Sequence, residues 1–309
     1  MPGQSSLRRN IPSDYLASEY LASEKFAMSM AQVLAVGLAT VDNIVLVDRY
    51  PERDERVLAI ENLRSVGGPA TVAAITMARL GIKVSLSTVV GRDQSGDFVL
   101  DILNQEGVDT EFVERNDGLT SQSTIVVSRN DASRAIMVKP ERVAPKKPTE
   151  SFPGWVHVDH FGAEVIKSWG VVRGKGPKLS IDIGYPVEGV EAKDFDLYVP
   201  SEKVTNDLDT ASDDGNIVVI SHGDRGSAFS DGKTKGRAPA FEIDALSTLG
   251  AGDVFHGALV ATRIWELPIK EAVTFANAVA ALSCRGLDGY SKVPNREETM
   301  DFIKMMEAK

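Results

Sequence analysis

Residues 247 to 259 read S-T-L-G-A-G-D-V-F-H-G-A-L, two glycines and a carboxylate placed directly ahead of a long apolar run. From Val254 onward the residues are apolar or small with hardly a break, which predicts a buried helix whose first turn opens near Ala251. The leading N–H groups of such a helix have no partner within it, and the aligned peptide dipoles make that end attractive to negative charge. Gly250 and Gly252 carry no Cβ, so an anion can come close to the main chain. A phosphoryl group in transfer is an anion of this kind. Asp253 falls in the same first turn, where the dipole is expected to hold it ionised, as a modest base at rest. Phosphoryl transfer tolerates a modest base, because its loose transition state asks mainly for positioning and charge stabilisation, with proton removal late. Taken alone, G-A-G-D reads first as a helix cap and nothing more, and the rest of the chain must decide.

The elements that must hold this turn come from a repeating pattern of buried strands and helices. V-L-A-V-G-L-A-T-V-D-N at 33–43 has the look of a buried parallel strand running into its C-terminal loop, where ligands collect, and Asp42 closes it. A carboxylate there can accept hydrogen bonds from two adjacent hydroxyls of a sugar, or it can cap a turn. V-G-G-P-A-T-V-A-A-I-T-M-A-R-L-G at 66–81 supplies a glycine pair, a proline near the first helical position, an apolar helix and a glycine stop. Strand and helix signals then alternate through V-S-L-S-T-V-V, D-F-V-L-D-I-L-N-Q-E-G, W-V-H-V-D-H-F-G, K-L-S-I-D-I-G, D-L-Y-V-P-S and I-V-V-I-S, before two closing helices from Gly252 and Ile269. Two stretches break the pattern with exposed, alternating strands, near 43–65 and 119–139, the second with the form of a hairpin. The expected architecture is a doubly wound α/β domain over 31–309, mostly parallel with helices on both faces, and a small β-sheet lid. Residues 1–30 are polar, carry the duplication Y-L-A-S-E, and are expected to be a tail, with Met28 or Met30 as a possible natural start.

Composition narrows the partners. A net charge of −10 argues against nucleic acid or an anionic membrane as the main partner and favours a small molecule. Cys284 is the single cysteine, so neither an intramolecular disulfide nor a thiolate metal site can form, and a reducing cytoplasm is the expected location. A dinucleotide oxidoreductase would need G-x-G-x-x-G straight after the first strand, where this chain has Gly37 alone.

These residues resemble the ribokinase-like, or PfkB, family of sugar and nucleoside kinases over nearly the whole chain from residue 32. The family's C-terminal signature D-T-x-G-A-G-D is matched by Ser247 to Asp253, and its glycine pair, helix and A-R-L-G by Gly67 to Gly81. The resemblance implies that Asp253 is the catalytic base, that Gly250, Ala251 and Gly252 form an anion hole, and that Asp42, Gly67, Gly68 and Thr71 line a sugar pocket. It further implies an ATP site using Ser221, Gly223 and Gly226 of the turn S-H-G-D-R-G, with Thr248 and the helix around Asn277 and Ala281, and magnesium carried on the nucleotide. A homodimer through the lid is a further expectation. The details T-L-G-A-G-D, L-D-G-Y at 287–290 and W-V-H-V-D-H-F-G look like the ketohexokinase branch, and S-Q-S with G-A-G-D-V-F-H-G-A-L like the sulfofructose kinases; both act on ketoses.

Three departures bear on chemistry. Ser247 replaces the first Asp of the signature, Thr71 replaces an Asn, and the N-x-x-E motif that organises magnesium-bound water reads Ser201-Glu202-Lys203-Val204, without its acid, so the metal ligands stay open. Alternatives are therefore a kinase for another sugar or nucleoside, or a binding homologue with impaired catalysis. Arg56 on the first excursion is either a solvated edge charge or, if the excursion closes over the pocket, a partner for an anionic substituent; Arg134 and Lys139 share that ambiguity. His256 and Cys284 are expected to serve packing.

Overall fold

The computed structural model describes residues 32–141, 143–149, 154–208 and 215–308. The expected tail and start sites lie outside these residues. Seven parallel strands form the body of the main sheet: β1 (Val33–Val36), β4 (Val84–Gly91), β5 (Val113–Asn116), β8 (Trp155–Val158), β9 (Lys178–Ile183), β10 (Leu197–Pro200) and β11 (Ile217–Ser221). Two antiparallel strands, β12 (Ser227–Ser230) and β13 (Lys235–Ala238), extend one edge, giving the order β13-β12-β11-β10-β9-β8-β1-β4-β5. The central strands are apolar on both faces because both are covered. On β1, Val33 and Ala35 enter one core while Leu34 and Val36 enter the other.

The helices are α1 (Pro69–Arg79), α2 (Gln94–Gln105), α3 (His160–Ser168), α4 (Ala251–Ile264), α5 (Ile269–Ser283) and α6 (Arg296–Glu307). The larger core takes α1, α4, α5 and α6, with α2 against β4, and the smaller takes α3. Helix α1 starts as the sequence predicts, with Pro69 in its first turn, and stops at Gly81, whose φ of 85° is left-handed. It packs on α4, where Gly257 has no side chain to crowd the Ala73 carbonyl.

The two excursions join into one separate sheet. β2 (Thr40–Val47), β3 (Glu61–Gly67), β6 (Gln122–Ser128) and β7 (Arg134–Lys139) lie in the order β3-β2-β6-β7. Its outer pairs are antiparallel and its central pair, β2 with β6, is parallel. Ile44, Leu46, Ile125 and Val127 on one face pack against Leu249 and Leu287, which fixes this sheet over the G-A-G-D turn.

The structure departs from the sequence pattern in four places. Asp42 does not close the core strand; β1 ends at Val36 and Asp42 is the third residue of β2. No α-helix connects β9 to β10, only a 3-10 turn at Ala192–Asp194. The β12–β13 hairpin and helix α6 complete the fold beyond the expected elements.

Candidate active site

Gly250 takes the left-handed conformation that starts α4, with φ 73°, and a Cβ there would strike Gly289. Gly252 faces open space. Among the described residues, no backbone acceptor is bonded to the N–H of Gly252 or Asp253, and Ala251 N reaches only Thr248 O at 3.4 Å. The predicted anion hole at Gly250, Ala251 and Gly252 is thus a helix end with main-chain donors aimed outward and no side chain in the way.

Asp253 differs from its expected state. Burial pushes its carboxyl pKa well up, and the charge of Asp182 and a hydrogen bond with it push further; Arg134 opposes and Asp159 adds to the rise. A helix dipole favours the ionised form by ~1 kcal/mol, too little against a second carboxylate at hydrogen-bonding range in a desolvated site. Asp253 is therefore a stronger base than the dipole alone makes it.

The groups behind Asp253 stand at the C-terminal ends of adjacent core strands. Asp182 lies near the end of β9, 8% exposed, with His256 Nδ1 of α4 at 2.7 Å from its Oδ2. Burial works against the Asp182 charge, but His256, His157 and the Asp253 hydrogen bond outweigh it and hold Asp182 below the usual carboxylate range. His157 on β8, hydrogen-bonded through Nδ1 to Ser180 Oγ at 2.9 Å, is lowered to about 4 by burial and by His256, against Asp182. Asp159, the residue after β8, is fully buried and caps α3, accepting from Phe161 N at 3.0 Å and Gly162 N at 2.7 Å. Its other oxygen accepts from Leu38 N at 2.8 Å and Ala70 N at 3.4 Å, so one carboxylate ties β1, α1 and α3 together. That junction between β1 and β8 is where the chain's connections diverge across the sheet, the place where open α/β sheets bind ligands.

His256 is thus no simple packing residue, in contrast to expectation, while Cys284 is: buried, with its thiol toward Ala280 O at 3.3 Å. Sequence reading passed over Asp159, Asp182 and His157. The available signal was positional, since V-H-V-D and S-I-D-I-G each put a carboxylate at the ligand end of a buried strand.

On the small sheet, Asp42 Oδ1 accepts from Thr40 Oγ1 at 2.8 Å and Ser123 Oγ at 2.5 Å. Burial raises its pKa, those two hydroxyls oppose the rise, and Asp288 reinforces it. A Cβ on Gly67 would overlap Asp42 Oδ2, so the first glycine of the pair makes room for this carboxylate. The second, Gly68, adopts φ 98° at the start of α1, where a Cβ would hit the Leu38 carbonyl. Asp288 receives Ser65 Oγ at 2.7 Å, linking β3 to the loop after α5. Thr71 is fully buried and donates its hydroxyl to Leu38 O at 2.9 Å, so it pins α1 to the β1 exit instead of offering a free donor. Arg56 is exposed in the β2–β3 connection, with no ion pair among the described residues. Lys139 is also exposed and pairs with Glu141 at 3.6 Å. Arg134 is placed differently, donating to Thr248 Oγ1 at 2.9 Å beside Asp253.

The residues assigned to nucleotide form two groups. Ser221 ends β11, and Gly223 and Gly226 bracket the following turn with φ of 59° and 84°. Glu202 accepts from Arg225 and lies 3.4 Å from His222 Nδ1, which closes this turn onto the segment after β10. Asn277 has its amide committed: Nδ2 donates to Ala238 O and Pro239 O at 3.1 and 3.0 Å, and Oδ1 accepts from Ser227 at 2.7 Å. With these bonds made, its side chain has no free polar group to present. Ala281 lies one turn on along α5 and is half-buried. The Thr248 hydroxyl is also taken, donating to Ala132 O at 3.2 Å, so the β6–β7 hairpin rests on the G-A-G-D turn. Val204, where the acid of N-x-x-E would stand, packs into the smaller core, and no group of three or more His, Cys, Asp or Glu among the described residues could hold a metal ion. None of the described helices is long and apolar enough to cross a membrane.

Comparison with known proteins places these features in context. The family model described as pfkB family carbohydrate kinase matches residues 30–167 and 197–296. The chain is 26% identical to the ribokinase of Haemophilus influenzae, covering 89% of this chain and 99% of that one. It is 28% identical to the 5-dehydro-2-deoxygluconokinase of Clostridium botulinum, over 77% and 83% of the two chains. Among solved structures, Arabidopsis thaliana ribokinase complexed with ribose and ATP superposes with a TM-score of 0.69 at 20% identity, covering 89% of this chain and 99% of that one.

Proposed function

The chain belongs to the pfkB family of carbohydrate kinases, phosphotransferases that act on sugar hydroxyls, and we propose that it moves the γ-phosphate of ATP to a hydroxyl of a ketose or ketose derivative. One observation carries this reading: a desolvated carboxyl, Asp253, stands in the first turn of a helix whose main-chain donors face open space. The sugar lies between Asp42, which accepts from its hydroxyls, and Asp253. The γ-phosphoryl group sits at the N–H groups of Ala251, Gly252 and Asp253, where negative charge is stabilised as the bond to the leaving oxygen lengthens. Asp253 takes the hydroxyl proton as the new O–P bond forms. Arg134, reaching from β7 to Thr248, places a cation beside this charge. ATP supplies the phosphoryl group, with its β- and α-phosphates along the Gly223–Gly226 turn.

Magnesium enters with the nucleotide. Val204 offers no ligand and Glu202 is engaged by Arg225 and His222, so this segment builds no metal site of its own among the described residues. The ketose assignment rests on T-L-G-A-G-D, L-D-G-Y and W-V-H-V-D-H-F-G. Self-association through the small sheet belongs to the same reading: β7 is exposed along its length, with Ile136, Met137 and Val138 each about half exposed. Sedimentation of wild type against Met137→Glu tests it, and a wild-type monomer overturns it. The activity is tested by ADP release from ATP against a panel of ketoses, aldoses and nucleosides, with NMR of the phosphorylated product. Turnover of an aldose or nucleoside alone would replace the ketose assignment, and ligand binding without turnover would make the chain a binding homologue.

A further inference from the structure

The small sheet grips the G-A-G-D turn from both of its edges. At the β7 edge, Thr248 N and Thr248 Oγ1 both donate to Ala132 O, at 3.3 and 3.2 Å, and Oγ1 accepts from Arg134 Nη1 at 2.9 Å. At the β3 edge, Ser65 Oγ donates to Asp288 Oδ2 at 2.7 Å, while Asp288 Oδ1 accepts from Ser291 N at 2.8 Å. Both contacts end beside Gly250. Thr248 precedes it by two residues, and Gly289, which follows Asp288, is packed so closely that a Cβ on Gly250 would lie 2.5 Å from its Cα.

The apolar contact between these edges does not account for them. Ile44, Leu46, Ile125 and Val127 already hold the sheet on Leu249 and Leu287, but apolar packing is non-directional. Each edge carries a feature that packing does not need. Ala132, whose carbonyl Thr248 uses, holds φ at 53°, a left-handed conformation unfavourable for a residue with a Cβ. Asp288 is a carboxyl only 4% exposed, where an apolar residue would pack at less cost. Hydrogen bonds add what packing lacks, a fixed distance and direction. Asp42 belongs to the same row of the sheet: it is paired across the strands with Ser65 on one side and Ser123 on the other, so the three side chains lie on one face. The row that carries Asp42 therefore runs on to the loop that backs Gly250.

We propose that Thr248, Ser65 and Asp288 are positioning residues that set the main-chain donors of the G-A-G-D turn against Asp42, so that a sugar on the small sheet and a phosphoryl group at α4 meet at reacting distance. This rests on the kinase reading above. The polar groups of all three are committed to protein partners, so they act through Gly250 and Asp42 and touch neither sugar nor nucleotide. Phosphoryl transfer depends on such placement, since a displacement of ~1 Å can cost about 100-fold in rate.

The test has two arms. Thr248→Val removes the hydroxyl at nearly constant shape, and Ser65→Ala removes the donor at the other edge. In each, kcat per folded molecule falls about 5- to 20-fold, while KM for the sugar stays within about twofold because Thr40 and Ser123 still hold Asp42. Thr248→Ser, which keeps the hydroxyl, recovers the wild-type rate. Wild-type kcat in Thr248→Val and Ser65→Ala, whatever happens to their melting temperatures, makes the bonds structural only and overturns the proposal; so does a loss confined to KM for the sugar. The second arm needs no turnover: amide hydrogen exchange at residues 254–256, in the first turns of α4, is faster in Ser65→Ala than in wild type. Unchanged exchange there overturns the positioning role. Should Ser65→Ala fail to fold, Thr248→Val carries both arms. Absence of turnover in wild type defeats the kinase reading instead, and the exchange still decides whether the small sheet sets the turn.

Discussion

Asp42 and Asp253 are both desolvated carboxyls that burial drives toward the neutral form, yet their surroundings act on them in opposite ways. Around Asp42, on the small sheet, two hydroxyls donate to one oxygen and resist the loss of charge. Around Asp253, on the main body, the nearest group is another carboxyl, which resists the charge itself. Hydroxyl donors keep a carboxylate as an acceptor, fit to hold a polyol; a like-charged neighbour makes it hungry for a proton, fit to remove one. The two share a residue type and burial, and their partners set them apart.

The comparison is broken most decisively at Asp253. Asp253→Asn is expected to lower kcat by about 10²- to 10⁴-fold, the usual weight of a positioned proton acceptor, with nucleotide binding retained. Near-normal turnover would leave both carboxyls as binding groups and end the distinction. The same variant reports on stability. Because the fold raises the Asp253 pKa, the folded chain binds more protons than the unfolded one above the ordinary carboxylate value of about 4, and stability falls as pH rises through that window. Asp253→Asn therefore melts above wild type at pH 7, and the gap closes as pH drops below about 4.

Asp42→Ala should do the reverse. Losing charge-assisted hydrogen bonds worth about 1.5–3 kcal/mol raises KM for sugar about 10- to 150-fold, and leaving Thr40 and Ser123 without their acceptor lowers the melting temperature. A variant with unchanged KM removes Asp42 from the pocket. Arg134→Ala, an exposed cation near Asp253, is expected to cost about 2- to 5-fold in kcat/KM, less at high salt; an effect of a hundredfold would make it a principal stabiliser of the transferred group. Smallest is Arg56→Ala, expected to stay within about twofold for a neutral sugar, while a large rise in KM would reveal an anionic substituent reaching the β2–β3 connection. Hydrogen exchange over 43–65 asks whether that segment closes: equal protection with and without saturating sugar would leave it a fixed wall.

The central strands and α1 were legible because they are almost wholly buried and their punctuation is glycine and proline. Gly81 stops α1, and Asp93 caps α2 by accepting from Gly96 N at 2.7 Å. Strand β13 was not legible, since K-G-R-A has no alternation to read and owes its pairing to β12. Helix α6 buries only Thr299, Phe302 and Ile303, too sparse a stripe to stand out, although the capping box of Asn295 and Glu298 announces its start. At the site, the glycines and Asp253 could be read because main-chain approach demands glycine at fixed spacing. The meeting of Asp182 with His256 could not, because it depends on how β9 docks against α4, and the commitment of Asn277, Thr71 and Thr248 to protein partners is likewise a tertiary fact.

Asp159 also imposes an order on how the molecule is made. Its carboxylate joins Leu38 and Ala70 to the start of α3, bridging up to 121 positions of chain. At about 5–20 residues per second a ribosome needs on the order of ten seconds or more to deliver residue 159 after it has delivered residue 38. Throughout that interval the β1 exit and the α1 start lack the acceptor that joins them, and pairing across such a separation is slow even once it becomes possible. The junction between β1 and β8 therefore stays unfinished until β8 emerges, so a truncated product of interrupted synthesis lacks the carboxylate that ties β1, α1 and α3 together.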